Sequence, residues 1–185
     1  PHYCSRRQRQ MCIRDRGHTS KAQLVAKGEG VLAGVAFCEF VLQRHGQGVS
    51  LSPVVADGAT FSEGALLFYL EGDTQTILSL ERLMLNAVQR MSGIASLTSK
   101  VQERIGHTNC KVLDTRKTTP NFRIAEKWAV AIGGGVNHRM GLYDAIMLKD
   151  NHIDFCGGLA LAVSHINGNI PTAVAYTHIR AHETS

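Results

Sequence analysis

The run Leu80–Ile105 constrains this chain more than any other stretch. Leu83, Ala87, Met91, Ile94, Leu97, Val101 and Ile105 recur every three or four residues and define one broad apolar face of a long helix. Ser79 is placed to cap it and Glu81 lies in its positive first turn. Gly93 is a weak point in its middle, and Gly106 ends it.

Elements of a different kind precede it. Gln23–Ala26 and Gly30–Ala33 read as short strands around Gly28-Glu29, and Val35–Arg44 as a short amphipathic helix closed by His45-Gly46. Val49–Val55 and Ala65–Leu70 read as strands, the first followed by the turn pair Asp57-Gly58. After the long helix, Lys111-Val112-Leu113 reads as a strand ending in Asp114-Thr115-Arg116-Lys117. Pro120 opens a helix to about Ile132, Gly133-Gly134-Gly135 stops it, and Ala145–Leu148 is a second strand ending at Lys149. Strand, helix and strand make a βαβ unit. The expected class is α/β: an α+β module, then a βαβ segment.

Composition removes several functions. The net charge of +5 falls to +1 without Pro1–Arg16, which holds five arginines against one aspartate, so no basic nucleic-acid face is implied for the rest. No apolar stretch is long enough to span a bilayer. The five cysteines are odd in number and form no C-x-x-C pair, which favours a reducing compartment and makes Cys38, Cys110 and Cys156 buried filler. Asp144, Asp150 and Asp154 lack metal-loop spacing, so no metal site is assigned. Residues 1–16 and 176–185 differ from the middle and are expected to be foreign to the fold.

In a βαβ unit the parallel strands end on one side, where α/β barrels bind ligands. Those ends carry Thr115-Arg116-Lys117 and Lys149, and the intervening loop adds His138-Arg139. Two like charges ~6 Å apart cost about 3 kcal/mol at an effective dielectric of ~20, which an anion between them offsets. The pattern therefore fits a strongly anionic ligand. It also fits plain solvated charges, with Arg116 and Lys117 paired to Asp114 or Asp150, and it leaves His152 a core histidine or a ligand. Lys100, Arg104 and Lys127 read as helix-surface charges.

Four segments carry a family likeness. LERLMLNAVQRMSGIAS (Leu80–Ser96), LDTRKTTPNFR (Leu113–Arg123), GGGVNHRMGLYDA (Gly133–Ala145) and LKDNHI (Leu148–Ile153) closely resemble quinolinate phosphoribosyltransferase, also called nicotinate-nucleotide pyrophosphorylase (carboxylating), over about Ala22–Thr172. The resemblance implies an N-terminal α+β sandwich domain over 17–82 and the first part of an incomplete α/β barrel over 83–175. It implies a cytoplasmic homodimer of NAD biosynthesis. Such an enzyme converts quinolinate and phosphoribosyl pyrophosphate to nicotinate mononucleotide, pyrophosphate and CO2, with magnesium.

The implied roles fall on named residues. Arg116 and Arg139 grip the quinolinate carboxylates, with His138 and Lys117 nearby. Lys149 reaches the substrate carboxylate or the phosphoribosyl group, and Thr115 contributes strand-end contacts. Arg82 enters the active site of the neighbouring subunit. Lys117 and Lys149 are the implied catalytic residues. The likeness also implies that the magnesium and pyrophosphate ligands lie beyond Thr172. A whole α/β barrel needs ~200 residues, so the expectation is a fragment of an enzyme, inactive alone. The rivals are a nicotinate or molybdenum-transport-associated phosphoribosyltransferase on the same fold, and a non-catalytic anion-binding remnant. The lack of any lysine between Lys27 and Lys100 argues against a biotinyl- or lipoyl-type carrier.

Overall fold

A computed structural model describes residues 17–169. The end segments expected to be foreign, 1–16 and 176–185, lie outside the described residues, as do Cys4 and Cys12. The chain forms two compact units, one ending at Asn137 and one beginning at His138.

In the first unit, β1 (Thr19–Val25), β5 (Leu66–Asp73) and β3 (Val49–Pro53) form an antiparallel sheet in the order β1-β5-β3. Ala22 and Leu51 both oppose Leu70, and Leu24 opposes Phe68, so one face of the pleat is apolar. Helix α1 (Val35–His45) and the first half of α2 (Thr74–Ile105) supply Val35, Cys38, Val41, Leu42, Ile77, Met84 and Val88 to the core with Phe68 and Leu70. A small ribbon, β2 (Gly30–Val31) with β4 (Thr60–Phe61), is held to α2 by side chains. Ser96 Oγ accepts from the Val31 N–H at 2.8 Å, and Ser92 Oγ accepts from the Ala33 N–H at 3.0 Å.

Two aspartates organise the helices. Asp57, expected only as a turn residue, also caps α1 from a distance. Its carboxylate accepts from the N–H groups of Gly34 (2.8 Å), Val35 (2.9 Å) and Ala36 (3.2 Å). Asp73, not Ser79, caps α2, accepting from the Thr76 N–H at 2.8 Å, so the helix begins at Thr74 rather than Leu80. At the start of that helix Gly72 adopts φ 148°, and a Cβ there would lie 2.0 Å from the Gly48 carbonyl oxygen.

The buried side of α2 also differs from the expected one. Met84, Ala87, Val88, Met91, Ser92, Ala95 and Thr98 face inward, while Leu83, Leu97 and Val101 are exposed. Small residues at 87, 92 and 95 let the second half of α2 approach its neighbours closely. Helix α3 (Arg123–Ile132) packs there through Ala125 and Ala129. It starts three residues after Pro120, because Asn121 takes a left-handed conformation (φ 61°) that a helix cannot include.

The βαβ unit is shorter than expected. Leu113 makes a single parallel bridge, and its partner is Val136 rather than any residue of 145–148, which contains no strand. The glycines after α3 explain this. Gly133 is buried, and a Cβ on it would meet the Ala95 carbonyl oxygen at 2.4 Å. The chain therefore turns back tightly under α2 and pairs at once.

The second unit holds α4 (Asp150–Cys156) and α5 (Leu159–Asn169), joined through Gly157 (φ 76°) and Gly158 (φ 133°).

Candidate functional site

The strand stub 112–114 and the residues after it are built around a buried ion pair. Lys127, read from sequence as a surface charge, is 0% exposed and forms a salt bridge with Asp114, whose side chain is also buried. Its place on α3 beside Ala125 and Ala129 turns it inward. With its amide nitrogen facing inward, Asn137 donates to Asp114 Oδ2 and to the Lys127 carbonyl, both at 2.7 Å. Removing one partner from such a buried pair costs about 3–5 kcal/mol, because the other charge is left uncompensated.

The next residue of α3 toward its N-terminus holds the far end of the same loop. Glu126, 8% exposed, accepts from Arg90 Nε at 2.7 Å and from the Thr119 N–H at 3.3 Å. Arg90 Nη2 also donates to Thr119 Oγ1 at 2.6 Å. Burial pushes the Glu126 carboxyl upward in pKa, but hydrogen bonds from Thr119 and Arg90 outweigh it and hold the group below the ordinary range. One turn earlier, Arg123 donates to the Arg116 carbonyl (3.4 Å) and to Thr118 Oγ1 (3.3 Å).

Between these anchors lie three expected site residues. Thr115 Oγ1 accepts from the Lys117 N–H at 3.1 Å, a side-chain turn that folds the loop back. Thr115 and Lys117 line an open cleft of about 270 Å³ with Arg90, Asp114 and Glu126. Arg116 is half-buried, and its Nε is fully buried with no hydrogen-bond partner. A buried donor left unpaired costs about 1–3 kcal/mol, which a bound carboxylate or phosphate oxygen restores. Of the readings left open by sequence, the pairing of Arg116 or Lys117 with Asp114 is replaced by Lys127–Asp114.

Arg82 is not part of this cleft. It is exposed on α2 and lines a separate groove of about 580 Å³ with Leu24, Leu85, Asn86 and Gly93.

The second unit carries the remaining expected residues. Arg139 is half-buried; Nη1 donates to the Ala145 carbonyl at 3.3 Å, and Nε is buried without a partner, as in Arg116. Asp144 accepts from the N–H groups of Met140 (2.5 Å) and Gly141 (2.9 Å), which shapes the turn after Arg139. His138 is half-buried. Lys149 is exposed at the start of α4, and its N–H donates to Nδ1 of an exposed His152 at 3.2 Å. His152 is thus neither a core residue nor part of a metal cluster. Among the described residues no group of three or more His, Cys, Asp and Glu could hold a metal ion.

Of the cysteines, Cys38 is buried as expected. Cys110 is exposed and Cys156 half-buried, against the expectation of filler for both; all three are free thiols.

Arg116 and Arg139, both expected from sequence as ligand contacts, carry the buried Nε atoms without a partner; Arg90, Arg123, Glu126, Lys127 and Asn137, which anchor the loop, were not expected there. The one available signal was the spacing 123, 126, 127, which puts three charged residues on one side of a helix.

A buried guanidinium donor without a partner, next to a lysine at the end of a strand in an α/β fold, is the chemistry of the anion-binding class of site. Comparison with known proteins narrows that class. Residues 94–183 match the family model for the quinolinate phosphoribosyl transferase C-terminal domain, and residues 9–92 match the N-terminal domain of the same family. The two matches meet within α2. The chain is 40% identical over 148 residues to quinolinate phosphoribosyltransferase [decarboxylating] 1 of Nicotiana glauca, covering 80% of this chain and 42% of that protein. It is 43% identical over 139 residues to the probable nicotinate-nucleotide pyrophosphorylase [carboxylating] of Bacillus subtilis, covering 75% of this chain and 48% of the relative. The crystal structure of NadC from Streptococcus pyogenes superposes with a TM-score of 0.80 at 40% identity, covering 88% of this chain and 59% of that one. The chain spans less than half the length of these two curated relatives. It belongs to the quinolinate phosphoribosyltransferase family.

Proposed function

We propose that this chain carries the pyridine-dicarboxylate site of a decarboxylating phosphoribosyltransferase, which joins quinolinate to a phosphoribosyl group and releases pyrophosphate and CO2. The observation that carries the reading is the buried, unpaired Nε of Arg116 in the Thr115-Arg116-Lys117 loop. An acceptor oxygen is what that atom lacks, and quinolinate offers two carboxylates. The family relatives named for quinolinate support the choice of ligand.

In this reading Arg116 and Arg139 hold carboxylates, with His138 and Lys117 beside them and Thr115 bracing the loop. Lys117 and Lys149 are the catalytic lysines, placing positive charge where the substrate carboxylate and phosphoribosyl group react. The pyridine nitrogen attacks the anomeric carbon as pyrophosphate departs. The positive ring nitrogen so formed stabilises the electron pair left on C2 when the 2-carboxylate leaves as CO2, and that carbon then takes up a proton from water. The protein's part is orientation and electrostatic stabilisation; no covalent nucleophile is needed. Magnesium belongs to the proposal as a cofactor. The described residues provide no cluster of three or more His, Cys, Asp and Glu for it.

The proposal includes a homodimer in which Arg82 serves the neighbouring site. Arg82 is exposed and outside the Thr115–Lys117 cleft, as a residue lent to a second copy must be. It also includes the cytoplasm, a setting that suits the free thiols of Cys38, Cys110 and Cys156.

Calorimetric titration with quinolinate and with nicotinate, which has one carboxylate, tests the reading. Quinolinate should bind at least tenfold more tightly, and Arg116→Ala should weaken it by ~10- to 100-fold, the worth of one or two charge-assisted hydrogen bonds. Equal binding of the two ligands would shift the reading to a nicotinate-type phosphoribosyltransferase. No binding of either would sink it.

A further inference from the structure

We propose that Glu126 and Lys127 are positioning residues that clamp the two ends of the Thr115-Arg116-Lys117 loop and thereby aim its cations; this rests on the reading of that loop as the quinolinate site. Within the loop the Lys117 N–H donates to Thr115 Oγ1, a single local tie among the described residues. The order of the loop comes from α3. Lys127 takes Asp114, immediately before Thr115. Glu126 takes the Thr119 N–H, two residues after Lys117. Arg123 takes the Arg116 carbonyl and Thr118 Oγ1 between them. Arg90 of α2 grips both Glu126 and Thr119, so the clamp is fixed to the long helix as well.

Residues 123, 126 and 127 lie at i, i+3 and i+4 and share a face. Each reaches a different point along the loop, so all the anchors move as one rigid body with α3. Both Glu126 and Lys127 are buried and lie in the wall of the cleft, with their charged ends engaged by Thr119, Arg90 and Asp114. They act through Arg116 and Lys117, which makes them positioning residues rather than catalytic ones. The arrangement also explains why Arg116 Nε is left unpaired: the anchors take the backbone and threonines of the loop and leave the guanidinium for a ligand. A misplacement of ~1 Å in such a group can cost about a hundredfold in rate.

The test uses the full chain and three variants. Lys117→Ala reads the site itself. Asp114→Asn with Lys127→Met removes both buried charges together, avoiding a lone one. Glu126→Gln keeps an acceptor for Thr119 but loses the charge facing Arg90. Amide hydrogen exchange over 114–119 and over α2 is measured beside calorimetric titration with quinolinate and nicotinate. In the double variant, exchange over 115–119 should speed at least ~10-fold while α2 stays protected. Quinolinate affinity should fall ~10-fold and nicotinate affinity less, because aim matters more when two carboxylates must be met at once. Glu126→Gln should speed exchange at Thr119 and weaken quinolinate ~3-fold; it decides the matter if the double variant loses α2 protection.

If Lys117→Ala binds quinolinate as tightly as the parent chain, the underlying site reading fails. If Lys117→Ala weakens binding but the clamp variants keep parental exchange over 115–119, or the parental quinolinate-to-nicotinate ratio, the positioning proposal alone is overturned.

Discussion

Glu126 makes the most direct pH prediction of any residue in the site. Its carboxyl is held below its unfolded value of about 4.5, so it stabilises the fold fully above that value. The contribution is lost as pH falls through the lower, folded value. Urea unfolding from pH ~6 down to pH ~3 should show stability falling in that acidic window, and Glu126→Gln should flatten part of the fall. Cys38 gives a second residue-scale expectation. Burial foremost, with Asp57 and Glu39 adding to it, pushes its thiol up to about 12, so the reactive thiolate is absent near neutral pH. Under native conditions a maleimide should label exposed Cys110 and spare Cys38, as peptide mass mapping would report. The place of Arg116 and Lys117 just after a strand stub was legible from sequence, because a short apolar run followed by polar residues is a local signal. Lys127 was not. Helix α3 inverts the usual pattern, with Ile124 at 74% exposure outside and Lys127 at 0% inside, and a partner 13 residues away, Asp114, offsets the cost of that burial.

Among the elements, α1 depends on a residue outside itself. Asp57→Ala strips acceptors from three N–H groups at its start, and chemical denaturation should show a loss of about 1–2 kcal/mol. Gly133 offers the opposite test. A methyl there would meet the Ala95 carbonyl and Thr98 Cβ at 2.4 and 2.8 Å, so Gly133→Ala should cost about 1–3 kcal/mol and loosen α3 from α2. Helix α1 and the strands of the sheet could be read from periodicity and turn residues, because alternation and punctuation are local. The strand expected at 145–148 could not be excluded that way. Whether a short apolar run pairs depends on what faces it, and Val136 takes the place beside Leu113. The caps were misread for a related reason: Ser79 has the right chemistry for the start of α2, but Asp73 reaches the free N–H of Thr76 one turn and a half earlier.

At the scale of the molecule, apolar burial is uneven. The first unit holds two core clusters, whereas Leu148 and Ala162 are the buried apolar side chains described in the second. Phe155 there is 92% exposed. Local opening follows buried contact density, so limited trypsin digestion should cut at Arg139 or Lys149 well before any site within α2, and mass spectrometry of early fragments would check it. No helix among the described residues is long and apolar enough to cross a membrane. The serines of α2 have one more effect. A two-residue strand such as β2 has a second edge that β4 does not cover, and free strand edges recruit other chains. Ser92 and Ser96 occupy that edge with hydroxyl groups, at Ala33 and Val31. Replacing both with alanine removes those hydroxyls and leaves the pairing of β2 with β4 in place, so in the folded chain the outer edge of the ribbon would keep unpaired N–H and C=O groups beneath α2.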